Sequence, residues 1–124
     1  LCVELSSRHA EVLRKNVEAA GFSSTVLHVR IQDVFTAIGQ LAEAGEKFDL
    51  ILADPPYGEK NIGRRSNSLA QKLLDAPRLP ALLEAGGLLV LGHTKRDTLS
   101  LPETWVESKQ LKHGDSVMRL LSVA

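Results

Sequence analysis

The chain has a single cysteine, Cys2, in 124 residues. One thiol cannot form an intrachain disulfide, and a reducing cytoplasm is the compartment expected. It also lacks any apolar run near the roughly 18 residues that a membrane span needs. No basic start followed by an apolar core marks a signal peptide, so no membrane partner is expected. Neither sign of charge is in excess, with 15 Lys plus Arg against 15 Asp plus Glu and a net charge of zero. A nucleic-acid-binding domain is usually strongly basic, so any nucleic-acid footprint must be local or lie outside these residues. Aromatic residues make up only 4%, which leaves the packing to Leu, Val, Ile and Ala. The histidines, His9, His28, His93 and His113, have no metal-ligand spacing, and no metal site is expected. There is no initiator Met. Leu1-Cys2-Val3 opens directly in an apolar, strand-like run, and sequence upstream of it is expected.

What is present is 44% hydrophobic, enough for one ordinary globular core. Leu1 to Leu5 reads as a short buried strand ending on an acid, Glu4. Ser6 or Ser7 caps a helix on which Ala10, Leu13, Val17 and Ala20 recur at helical spacing, and Gly21 ends it. Ser23 and Ser24 lead into a strand over Thr25 to Ile31, whose partial alternation suits a wetter sheet edge. Asp33 caps a second helix with Phe35, Ile38 and Leu41 or Ala42 inward, closed by Gly45. Phe48 to Ala53 is nearly all apolar, as expected for a central parallel strand covered on both faces. It stops at Asp54-Pro55-Pro56-Tyr57-Gly58, because proline cannot continue a central ladder. Glu59 to Ser68 reads as a polar, basic surface loop. A helical stretch through Leu69, Leu73 and Leu74 is interrupted by Pro77 and Pro80, resumes through Leu82 and Leu83, and breaks at Gly86-Gly87. Leu88 to Leu91 is another buried strand, and Thr94 to Pro102 a loop. Two last strands, Thr104 to Lys112 and Val117 to Val123, flank a turn at His113-Gly114-Asp115. Alternating strands and helices imply an α/β fold with a mostly parallel sheet, to which the terminal hairpin adds an antiparallel strand. Trp105 is expected to pack those terminal strands, and Cys2 to be a small core residue.

The sharpest chemical signal is Asp54-Pro55-Pro56-Tyr57, at the carboxyl end of a buried strand, where open α/β sheets bind ligands. An exocyclic amine on a base is a weak nucleophile because its lone pair is delocalised into the ring. Acceptors around its N–H groups orient the lone pair toward a methyl donor. Asp54 offers a carboxylate, Pro55 a peptide carbonyl stiffened by the two prolines, and Tyr57 an aromatic face on which an extruded base can stack. The bland reading is a proline-terminated strand with a solvated Asp and a packing Tyr. Glu4 ends another strand, and either accepts both ribose hydroxyls of an adenosine cofactor or is a helix-start acid favoured by the macrodipole. Asp33 either accepts from an adenine amino group, with the Val34 N–H reading the ring, or is a plain N-cap. Acids at three successive strand ends favour the functional reading together. Lys60, Arg64 and Arg65 could contact phosphates or form an ordinary solvated loop.

These strings resemble a class I methyltransferase of the RsmD type, which methylates guanine N2 in 16S ribosomal RNA. The resemblance rests on Val3-Glu4-Leu5, Leu13-Arg14-Lys15-Asn16-Val17, Phe48-Asp49 through Tyr57, Gly86-Gly87-Leu88-Leu89-Val90 and His113-Gly114-Asp115-Ser116. It spans essentially all of residues 1–124, read as the C-terminal portion of a single domain that uses S-adenosylmethionine. It implies that Glu4, Leu5, Asp33, Val34 and Asp54 bind cofactor, and that Asp54, Pro55, Pro56 and Tyr57 are catalytic and hold the base. It implies a Rossmann-like sheet, ribosomal RNA or a small-subunit intermediate as partner, and a cytoplasmic location. The family's first strand and glycine-rich loop, and its upstream basic segment, are missing here. The missing strand normally lies between those of Leu1–Leu5 and Phe48–Ala53. The expected consequences are direct pairing across the gap, recruitment of a strand from a partner, or a longer parent chain, with weak or absent cofactor binding by residues 1–124 alone. Exposed sheet edges make self-association an expectation. Two other readings stand beside the first: a truncated, non-catalytic methyltransferase-like module, and a DNA adenine-N6 methyltransferase sharing the same site.

Overall fold

In the computed structural model, residues 1–23 and 25–124 are described, so the expected role of Ser24 lies outside the described residues. The chain divides into two compact units, Leu1–Gln40 and Leu41–Ala124.

In the first unit, β1 (Cys2–Glu4) and β2 (Val29–Ile31) pair in parallel, with Glu4 opposite Ile31. Helix α1 (Ser7–Ala19) connects them. The Ser6 hydroxyl accepts from the His9 N–H at 3.3 Å and caps the first turn, as Ser at this position does in general. Gly21, at φ +80°, supplies the left-handed residue that reverses the chain after the helix. Its N–H donates to the Glu18 carbonyl and that of Phe22 to Val17, satisfying carbonyls the last turn leaves unpaired. The expected strand over Thr25–Ile31 is shorter than its sequence pattern: Thr25 and Val26 lie in a turn, and Val26 is 69% exposed. Local β propensity there has no buried face to reward it. Helix α2 (Val34–Glu43) begins in this unit and ends in the next. Ala37, Ile38 and Leu41 are its buried positions.

In the second unit, β3 (Phe48–Ala53), α3 (Leu69–Asp75), β4 (Leu83–Thr94), β5 (Trp105–His113) and β6 (Ser116–Val123) build a mixed sheet of order β3-β4-β6-β5. Strand β3 pairs in parallel with β4, and β6 is antiparallel to both β4 and β5. Leu89, Leu91 and Leu121 have no exposed surface, and Leu89 sits opposite Leu121 in the ladder. Trp105 is buried, and its indole N–H donates to the Leu74 carbonyl at the end of α3 (3.0 Å). It therefore ties the hairpin to the helix as well as packing it. Gly114, at φ +57°, makes the tight hairpin turn between β5 and β6, a conformation glycine adopts at little cost.

Several sequence expectations change here. Gly86-Gly87 does not break the chain. A short 3₁₀ turn at Pro80–Leu82 leads straight into β4, which runs through both glycines as a bulge between the Phe48–Leu83 and Leu50–Leu88 pairs. The ladder with β3 on either side holds the extended path despite the glycines. Strand β3 is not covered on both faces. Among the described residues it pairs only with β4, and Leu50 and Leu52 are 53% and 73% exposed. The described strands form a two-stranded sheet in the first unit and a four-stranded sheet in the second. Cys2 is half-buried rather than core. No helix among the described residues is long and apolar enough to cross a membrane.

Candidate active site

In the first unit, the two acids expected to bind cofactor end the parallel pair on the same side. Glu4 closes β1, and Asp33 follows β2 by two residues. The Glu4 Oε1 accepts from the Ser6 N–H at 3.1 Å and lies 3.5 Å from His9 Nδ1. The carboxylate is thus aimed over the start of α1, with Leu5 exposed beside it. The Asp33 Oδ2 accepts from the Thr36 N–H at 3.1 Å and from the Thr36 hydroxyl at 3.3 Å. Asp33 is therefore an N-cap of α2, whose first residue is Val34. Capping occupies one carboxylate oxygen and is compatible with the other accepting from a ligand. A hollow of about 670 Å³ in this unit is lined by Arg14, Glu18, Phe22 and His28 at the opposite ends of α1 and β2. It is wide open and carries none of the chemistry expected of the acids.

In the second unit, β3 delivers Asp54 to the carboxyl edge of its sheet. The register sets Ala53 against Leu91, so Asp54 comes alongside Gly92. The fit is close: a Cβ on Gly92 would lie 2.6 Å from Asp54 Oδ1 and 3.0 Å from Met118 Sδ. The Asp54 carboxylate rests over a position that only glycine can fill without moving it. No described residue hydrogen-bonds that carboxylate. Pro55 is half-buried, whereas Pro56 and Tyr57 are exposed. Tyr57 is 49% exposed, yet its hydroxyl is fixed 2.9 Å from the Ser116 hydroxyl at the start of β6. The late hairpin therefore holds the ring, leaving its face available for stacking.

Behind the motif lies a cluster of buried polar side chains: Asn61, Ser66, Ser68, Gln71, Thr94 and Asp97. Asp97 has no exposed surface, and its Oδ1 accepts from the Ser66 hydroxyl. Its Oδ2 has no partner among the described residues and would meet a Cβ on Gly58 at 2.8 Å. Asn61 brackets Thr98, donating to its carbonyl at 2.9 Å and accepting its N–H at 2.7 Å. Gln71 does the same to Ser100, at 2.9 and 2.8 Å. Ser68 caps α3 by accepting the Gln71 N–H. These bonds lock the segment after Tyr57 to the segment after β4, so the motif leaves its strand along a fixed path. His93, also buried, is held neutral by burial, which pushes its pKa below the usual histidine value, and Arg119 acts in the same direction. Its Nδ1 lies 2.9 Å from the Thr94 carbonyl; since a carbonyl only accepts, Nδ1 carries the proton.

Sequence patterning singled out Asp54 to Tyr57 and both first-unit acids. It missed Gly92, Asp97, Asn61 and Gln71, because none lies in an apolar period and their partners are distant in the chain. Of the three basic residues singled out, Arg65 is engaged: both its terminal nitrogens donate to the Asp75 carboxylate at 2.7 Å. That bond raises the Arg65 pKa and lowers that of Asp75. Among the described residues no group of His, Cys, Asp or Glu could hold a metal ion.

Alternating strands and helices with an antiparallel hairpin at the end have the fold of class I methyltransferases. A hypothetical protein of Thermus thermophilus has this fold at 27% identity and a TM-score of 0.70, covering 98% of this chain and 60% of that one. A candidate methyltransferase solved in complex with S-adenosylhomocysteine has it at 14% identity and a TM-score of 0.68, covering 98% and 38%. The chain belongs to the family described as Conserved hypothetical protein 95, whose model matches residues 1–122. It is also 31% identical, over 98 residues, to ribosomal RNA large subunit methyltransferase I of Erwinia tasmaniensis. That match covers 72% of this chain, which spans about a quarter of the relative's length (25%).

Proposed function

We propose that residues 1–124 carry the cofactor- and base-binding part of a cytoplasmic methyltransferase domain, which methylates an exocyclic guanine N2 of 16S ribosomal RNA. The observation that carries this reading is the Asp54–Tyr57 motif, with its carboxylate seated over Gly92 and its ring anchored to Ser116. Glu4 and Leu5 bind the ribose of S-adenosylmethionine, and Asp33 with the Val34 N–H binds the adenine. A carboxylate suits two vicinal hydroxyls, and both acids stand at strand ends. S-adenosylmethionine supplies a methyl group already activated on a sulfonium, so the residues need only orient the acceptor. The Asp54 carboxylate and the Pro55 carbonyl accept from the amine, drawing its lone pair out of conjugation with the ring and toward the methyl donor, while Tyr57 stacks the base. The ribosomal RNA named for the Erwinia relative supports RNA as the substrate class.

The test is transfer of tritiated methyl from S-adenosylmethionine by the whole protein to small-subunit RNA, large-subunit RNA and duplex DNA, followed by nucleoside analysis. N2-methylguanosine from small-subunit RNA, lost in Asp54→Ala, is the expected product. Label in large-subunit RNA would move the substrate to the other subunit. N6-methyladenine in DNA would replace the reading with the DNA enzyme. Cofactor binding without transfer to any acceptor would make the protein a non-catalytic module. A thermal-shift titration with S-adenosylhomocysteine reads cofactor binding independently, and Glu4→Ala is expected to abolish the shift.

A further inference from the structure

The residue just beyond the motif loop's anchor is unexplained by the base site itself. Ile62 is 79% exposed, more than any other large apolar side chain described. A lone surface isoleucine would normally need no explanation, but this one sits on a built tip. Asn61 beneath it is buried and makes three hydrogen bonds: its amide donates to the carbonyls of Arg64 (3.0 Å) and Thr98, and its carbonyl accepts the Thr98 N–H. The turn is therefore closed on itself and fastened to a second loop. Ile62 is flanked by Lys60 and Arg64, both exposed and outside any ion pair among the described residues. Arg65, by contrast, is spent on Asp75. The second loop brings Arg96, also exposed.

We propose that this tip engages structured RNA beside the target nucleotide: Ile62 enters the base stack as an apolar wedge, while Lys60 and Arg64, with Arg96, contact the flanking phosphates. The inference rests on the RNA substrate proposed above and adds how the base is brought out. A base inside a helix has to be extruded before its amine can be reached, and proteins that open a stack commonly insert a rigid apolar side chain between base steps. A wedge works only if it does not yield when pushed, which is what the Asn61 clamp supplies. The tip begins three residues after Tyr57, so a base displaced there has the stacking ring close by along the chain.

The experiment compares two RNA probes by fluorescence anisotropy and 2-aminopurine emission: a hairpin with 2-aminopurine beside a stem guanine, and the same strand altered so that it cannot pair. In Ile62→Ser, affinity for the hairpin and the 2-aminopurine rise are expected to fall roughly tenfold, because a stack must be opened. Binding of the unpaired strand should stay within about twofold. The double variant Lys60→Gln/Arg64→Gln should weaken binding of both probes and lower the slope of log affinity against log salt, by about 1.4 on the unpaired strand and about 1.8 on the hairpin. Equal losses of Ile62→Ser on both probes, no loss on either, or an unchanged salt slope in the double variant would each overturn the proposal. Methyl transfer measured alongside separates the two claims. Wedge behaviour without transfer leaves the tip standing and removes the methyltransferase reading; undiminished transfer to structured RNA by Ile62→Ser does the reverse.

Discussion

The two units carry the proposed chemistry on very different foundations. Leu1–Gln40 has two strands of three residues each, and Ala10, Ala37 and Ile38 are its buried apolar side chains among those described. Leu41–Ala124 has strands of 6, 12, 9 and 8 residues, with Leu89, Leu91 and Leu121 sealed from solvent. Its buried polar side chains lie behind the motif, where Asn61 and Gln71 bond to the backbone of Thr98 and Ser100 and the Ser66 hydroxyl donates to Asp97. Apolar burial is the main favourable term in folding, so most of the stability of these 124 residues resides in the second unit. The motif proposed to hold the base is built on that packed part. The acids assigned to the cofactor stand on a thin, two-stranded one. A site for a reacting group needs positional accuracy, which a dense core supplies; a cofactor acid at a strand end can be ordered by the ligand itself.

This contrast can be broken at its strongest point first. Leu91→Ala removes a side chain with no exposure and should cost the second unit about 2–5 kcal/mol, read as a lower urea midpoint. Hydrogen exchange in the same variant should show protection lost from β4 and β6, while a matching loss in α1 and β1 would show the units to be one cooperative block. Next comes Gly92→Ala. Its methyl displaces the Asp54 carboxylate, and misplacement of a positioning group by about 1 Å costs on the order of 100-fold in rate. The methyl-transfer assay should fall by 10- to 100-fold, about 1.4–2.7 kcal/mol, with the S-adenosylhomocysteine thermal shift retained. A comparably lowered cofactor shift would mean that Gly92 serves more than the base side.

The two serine caps sharpen the comparison within one chemistry. Ser6→Ala loses an exposed cap and should cost about 0.5–1 kcal/mol, whereas Ser68→Ala loses a buried one that also lies 3.0 Å from the Ser66 hydroxyl and should cost about 2 kcal/mol. Equal costs in denaturant titrations would deny the second unit its polar advantage. The smallest effect is that of His93. Its folded pKa is lowered by burial, so its neutral form is favoured in the native state. Stability from that preference is present above the unfolded value of about 6.5 and is lost as pH falls below it, because the unfolded chain takes up the proton first. Tm should therefore drop between pH 7.5 and pH 5.5, and His93→Gln should flatten that drop.

Local pattern made much of this legible. Helical spacing with a serine and a following glycine placed α1 to within a residue, since the cap and the left-handed turn are local events. The apolar run Phe48–Ala53 and its arrest by Pro55-Pro56 placed β3 and the motif. The hairpin turn was legible from Gly114 for the same reason. Where the pattern misled, the cause was tertiary. Val26 carries β propensity but gains no partner, and Gly86-Gly87 look like a break but are carried through by the ladder with β3.

The sequence by itself determined the alternation of strands and helices, the acids at three strand ends and the position of the Asp54–Tyr57 motif, because each depends on neighbours a few residues away. Only the tertiary structure decided that Asp54 rests over Gly92, that Tyr57 is anchored by Ser116, and that Asn61, Gln71 and Asp97 fasten the motif loop. Those partners are up to 59 residues apart in the chain. Whether a buried polar group is satisfied depends on which distant backbone the fold brings to it, and no local period in the sequence records that.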